Sequence, residues 1–75
     1  MKNRLKLLRV ERDLTQADVA KSIGISRSTY SNIENGKSNP DFKTLVLLVS
    51  FFKIPANEIF FDLNVVYKQQ KITSN

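Results

Sequence analysis

The chain has 75 residues, about half the usual size of one domain, so the sequence reads as one small domain. It has no cysteine and no histidine. That removes disulfide staples, thiolate metal sites, and the commonest general base and zinc ligand. Lys plus Arg number 12 against 7 Asp plus Glu, a net charge of +5 with a pI of about 9.8. Such a balance suits a nucleic-acid binder, and equally a protein of membrane surfaces, and it makes an enzyme the poor reading.

Lys6, Arg9 and Glu11 break the apolar runs of the basic amino terminus before a signal-peptide core could form. The longest apolar stretch, Leu45 to Phe52 with Ser50 inside it, falls well short of the roughly 20 residues of a membrane helix. A cytoplasmic protein is therefore expected. The first helix is predicted from about Asn3 to Asp13, with Leu5 and Leu8 at helical spacing. The second opens at Thr15, whose T-x-x-D spacing to Asp18 is a capping-box variant. It carries Val19, Ala20 and Ile23 on one face and stops at Gly24, a residue suited to the left-handed end of a helix. Only Ile25 separates Gly24 from Ser26, the predicted N-cap of a third helix that ends at Asn35-Gly36. After the turn Lys37-Ser38-Asn39-Pro40, Asp41 caps a fourth helix running to about Phe52. A short fifth helix is predicted from about Pro55 to Phe60. Beyond it, Val65, Val66 and Tyr67 suit a short strand or an ordered tail, and residues 71–75 suit a frayed end.

Two helices joined by three or four residues that include a glycine form a helix-turn-helix, whose second helix can enter a DNA major groove. On a wheel at about 100° per residue, Tyr30 and Ile33 set the buried face of the third helix. Ser28, Ser31, Asn32 and Asn35 lie on the opposite side. Short hydrogen-bonding side chains let a backbone approach base edges closely, and Arg27 stands at the tip that meets bases first. Taken without the hinge, the same face is ordinary solvated helix.

The motifs L-x-x-L-R at Leu5 to Arg9, L-T-Q-A-D-V-A at Leu14 to Ala20, and G-I-S-R-S-T at Gly24 to Thr29 carry a resemblance. I-E-N-G-K at Ile33 to Lys37, N-P at Asn39-Pro40 and E-I-F at Glu58 to Phe60 extend it in one unbroken register. Leu5 to Phe60 resembles the phage repressor and Cro-type helix-turn-helix family, the Xre-like bacterial transcriptional regulators. Tyr30, where the family usually has a smaller aliphatic, and Pro55, where a serine-type cap is more common, depart from the pattern. The resemblance implies an all-α, five-helix, lambda-repressor-like domain over residues 1–61, followed by a tail at 62–75 expected to contribute to dimerisation. It also implies base contacts from Arg27, Ser28, Ser31 and Asn32 and a phosphate contact from Gln16. For Arg27 the competing reading is phosphate contact alone. Lys37 and Asn39 look like DNA-backbone contacts, set against a solvated loop, and Asn35 joins them. Arg9 and Glu34 are implied to form a partly buried salt bridge between the first and third helices.

Positive charge is concentrated at the start, where residues 1–12 carry Lys2, Arg4, Lys6, Arg9 and Arg12 against Glu11 alone. Arg4 and Lys6 are read as phosphate-steering groups, or else as a solvated face. On the fourth helix, Leu45, Leu48, Val49 and Phe52 share one side and are the expected core positions, whereas Leu47 and Phe51 lie on the other side and are expected to miss that core. Either the apolar tail folds over them or a second subunit does. Dimerisation through the fourth and fifth helices and the tail is the favoured solution, with Leu47, Phe51, Phe61 and Val65 as candidates. The leading function is a dimeric repressor of double-stranded DNA at a pseudo-palindromic operator. The runner-up is a protein-interaction module of the antitoxin or anti-repressor kind. No metal, cofactor or small-molecule ligand is expected.

Overall fold

A helix start leaves backbone N–H groups unpaired, and at four of the five helices here a short side chain takes one up. In the computed structural model, which describes residues 1–61, the helices are α1 (Leu5–Glu11), α2 (Gln16–Ile23), α3 (Arg27–Glu34), α4 (Phe42–Phe52) and α5 (Ala56–Ile59). Thr15 and Asp18 form a reciprocal capping box at α2: the Asp18 amide donates to Thr15 Oγ1 at 3.0 Å, and the Thr15 amide donates to Asp18 Oδ2 at 2.9 Å. Ser26 accepts from the Thr29 amide at the start of α3, and Asp41 from the Thr44 amide at the start of α4. Asn3 serves α1 in the same way, its Oδ1 accepting from the Leu5 amide at 2.9 Å.

The five-helix, all-α expectation matches. No strand occurs among the described residues, only an isolated antiparallel bridge between Asn3 and Phe60. That bridge corrects the expected bounds of α1. Residues 2–4 are drawn away from the helix because the Arg4 amide donates to Ile59 O at 2.9 Å and the Phe61 amide to Lys2 O at 3.0 Å. At the far end α1 closes before Asp13, whose φ of +56° is left-handed. Pro55 precedes α5 as its N-cap instead of lying in its first turn. The strand or ordered tail expected at Val65 to Tyr67 lies outside the described residues.

One core joins all five helices. Leu5, Leu8, Val19, Ala20, Ile23, Tyr30, Ile33, Leu45, Leu48, Phe52 and Ile59 are buried together with Phe60. α2 packs on both α3 and α4, and α4 on α5. Two expectations for α4 are corrected. Leu47 and Phe51 are half-buried and pack against the core, with the Phe51 ring edge-on to Phe52 at 4.9 Å. Phe42 is exposed, at 61%, and so is Val46, at 45%. A wheel with one buried side cannot place α4 correctly, because that helix is covered from more than one direction.

Candidate nucleic-acid interface

The hinge consists of Gly24, Ile25 and Ser26. Gly24 ends α2 at φ +81°, and its amide and that of Ile25 both donate to Ala20 O, at 2.9 and 3.0 Å. This Schellman-like closure turns the chain sharply, half-buries Ile25 against the core, and delivers Ser26 to cap α3. α3 is then fixed from beneath by Tyr30 and Ile33, at 0% and 3% exposure.

Its other side is open. Arg27, Ser28, Asn32 and Asn35 are exposed, and Ser31 is half-buried. The hydroxyl cluster at the tip is loosely tied, with Ser26 Oγ donating to Thr29 Oγ1 at 2.8 Å and lying 3.3 Å from Ser28 Oγ. Asn35 Nδ2 donates to Ser31 Oγ at 3.3 Å. After α3 the Lys37 and Ser38 amides both donate to Asn32 O, at 2.8 and 3.2 Å, which holds an exposed loop of Lys37, Ser38 and Asn39 beside the helix end. Buried Pro40 closes that loop.

Behind this face lies a polar knot tying α1, α2 and α3. Arg9 grips Glu34 with two bonds, Nε to Oε2 at 2.9 Å and Nη2 to Oε1 at 3.0 Å, while its Nη1 donates to Leu14 O at 2.8 Å. The Glu34 side chain is 2% exposed and that of Arg9 13%. Burial pushes the Glu34 carboxyl up, but the bonds from Arg9 and Gln16 and the Arg9 charge outweigh it and hold the pKa below the ordinary glutamate range. The Tyr30 hydroxyl is buried at this knot with no hydrogen-bond partner among the described residues, and burial pushes its pKa up, with the Glu34 carboxylate adding to the effect. Gln16, the first residue of α2, donates from Nε2 to Glu34 Oε1 at 3.1 Å. So the side chain expected at a phosphate reaches from the start of α2 to the last residue of α3.

Asn3 is the residue that the sequence reading missed. Its Nδ2 donates to Ile33 O at 3.0 Å, with Met1 O and Glu34 O further off at 3.2 and 3.4 Å, so it satisfies the end of α3 from a distant part of the chain. Of the amino-terminal cations, Lys6 is exposed, and Arg4 lies 5.3 Å over the Phe61 ring. Arg12 bridges the carboxyl ends of α1 and α4 through Leu8 O and Phe52 O. With Arg9 committed to Glu34, only part of the amino-terminal charge is left for a ligand. Phe61 is 53% exposed, and Val65 lies outside the described residues. No group of three or more acidic side chains among the described residues could hold a metal ion, and no helix there is long and apolar enough to cross a membrane.

A family model described as "Helix-turn-helix" matches residues 5–59. The chain is 43% identical over 60 residues to the HTH-type transcriptional regulator MJ0272 of Methanocaldococcus jannaschii, covering 80% of this chain and 91% of that protein. It is 38% identical over 60 residues to the cryptic phage CTXphi transcriptional repressor RstR of Vibrio cholerae, again 80% of this chain but 54% of the relative. Against the antitoxin HipB of Escherichia coli K12 it is 48% identical over 52 residues, 69% of this chain and 52% of HipB. The chain thus spans most of the first relative and about half of the other two.

Proposed function

This chain belongs to the helix-turn-helix family of DNA-binding transcriptional regulators, which are not enzymes, and on that premise we propose that it is a cytoplasmic dimeric repressor that reads a pseudo-palindromic operator. α3 enters the major groove, Arg27 and Asn32 read base edges, and Ser28 and Ser31 allow the close approach. A guanidinium such as that of Arg27 can make a two-bond contact to guanine, and an amide such as that of Asn32 one to adenine. Gln16, Lys37, Asn39 and Asn35 hold the phosphates on either side, with Arg4 and Lys6 on the flank.

The single observation that carries this reading is the exposed, short-chained polar face of α3, propped at a fixed angle by Gly24 below and Tyr30 and Ile33 behind. Selection of bound sequences from random duplex DNA tests it. Palindromic sites are expected, and Arg27→Ala should cost about 1–3 kcal/mol and relax preference at one base pair per half-site. A pool with no enriched sequence, at a salt concentration where binding persists, would refute sequence-specific reading.

A protein-interaction role of the antitoxin or anti-repressor kind is favoured by the likeness to HipB and by the exposed apolar side chains Phe42, Val46 and Phe61. Stoichiometric copurification of a protein partner from a preparation free of DNA separates this role from the first.

A further inference from the structure

We propose that Glu34 is a positioning residue for DNA contact: held by Arg9, its Oε1 atom fixes the Gln16 amide so that one amide hydrogen stays available for a phosphate oxygen. This rests on the reading of Gln16 as a phosphate contact. A primary amide carries two N–H donors. One is engaged by Glu34 Oε1 at 3.1 Å, and that same oxygen takes Arg9 Nη2 at 3.0 Å. Arg9 is in turn fixed to α1, to Leu14 O and to the second carboxylate oxygen. Gln16 as a residue is half-buried, so it is neither sealed inside the fold nor fully in solvent.

A carboxylate next to a phosphate site should repel the ligand, and two features prevent that. Glu34 is almost wholly covered, and its charge is matched by a guanidinium in a two-bond pair. A phosphate arriving at the start of α2 meets an amide, not an anion. A side chain already ordered in its bound geometry also avoids the loss of freedom that an untethered glutamine would suffer on binding. Glu34 is the last residue of α3, so the clamp and the reading helix are tied to one atom and cannot drift apart.

A double-mutant cycle on operator DNA tests this, with Gln16→Ala made in the native chain and in an Arg9→Met/Glu34→Met background. The paired methionines avoid a lone buried charge, and far-ultraviolet circular dichroism checks that the helices persist. Gln16→Ala should weaken native binding by roughly tenfold per half-site, and by no more than about twofold in the methionine background, which already lacks the tether. Equal losses in both backgrounds would mean that Glu34 is only structural, and would overturn the proposal. No loss in the native chain would remove the phosphate reading of Gln16 and the proposal with it. Proton NMR of the native protein supplies a readout that needs no folded double variant. The Gln16 side-chain amide pair, identified by its absence in Gln16→Ala, should show one proton shifted and slow to exchange. A pair like that of a free glutamine overturns the proposal.

Discussion

Glu34 shows how much one side chain is asked to do in a domain this small. Its two oxygens receive Arg9 twice and Gln16 once. Removing Arg9 alone leaves the carboxylate covered and unmatched, so Arg9→Ala should cost about 3–5 kcal/mol, whereas the paired methionine replacement should cost far less. The same pair should govern acid stability. Burial works to raise the carboxyl pKa, yet the Arg9 and Gln16 bonds hold it below the ordinary value of 4.5. Since the folded pKa lies below the unfolded one, ionised Glu34 stabilises the fold fully above that ordinary value, and the stabilisation is lost as pH falls through the lowered one. Urea unfolding at a series of pH values below neutrality should therefore show a decline that is shallower in Arg9→Met/Glu34→Met. Asp18 and Asp41 are also held low, by bonds within their caps to Thr15 and Thr44, but both are exposed, so they supply the residual slope. Matching declines in the two proteins would take acid sensitivity away from Glu34.

At the scale of the element, helix ends decide the angle at which α3 is offered. Gly24 adopts φ +81°, and a Cβ placed there meets nothing within 4 Å. The cost of Gly24→Ala is thus backbone strain alone, about 1 kcal/mol. Lys53 ends α4 at φ +59° with a full side chain, so Lys53→Gly should gain up to about 1 kcal/mol, less the flexibility that glycine adds to the unfolded chain. Thermal unfolding of the two variants should move in opposite directions. A parallel shift would mean that φ is not what limits either end. The same ends explain what the sequence could reveal. Thr15, Ser26, Asp41 and Gly24 act within four residues of their partners, so spacing alone locates them. Asn3 acts on Ile33, and Gln16 on Glu34. Those partners become visible only once helices cross, which local pattern does not encode. α1 starts later than expected for the same reason, since residues 2–4 pair with the end of α5 and the residues after it. Leu47 and Phe51 failed because a wheel assumes one neighbour for a helix that has several.

The whole molecule carries a net charge of +5, which acts at long range on DNA, but not every cation is placed to touch a phosphate. Arg9 is spent on Glu34, and Arg12 on the carboxyl ends of α1 and α4. The proposed phosphate contacts of charged type reduce to Lys37, Lys6 and Arg4, with Arg27 at the bases. One domain of this size spans one half-site, and a two-fold pair would set two α3 helices about 34–36 Å apart in successive major grooves. Affinity measured against salt can count both contacts and subunits. Each cation paired with phosphate contributes about −0.9 to the slope of log K against log salt. Lys37→Ala should accordingly make the slope shallower by about one on an isolated half-site and by about two on the full palindrome. Gln16→Ala, which removes a neutral donor, should lower affinity in both cases and leave the slope unchanged. If Lys37→Ala altered the slope equally on the half-site and the palindrome, a single subunit would be carrying the site, and the exposed apolar residues Phe42, Val46 and Phe61 would need an occupant other than a second copy of the chain.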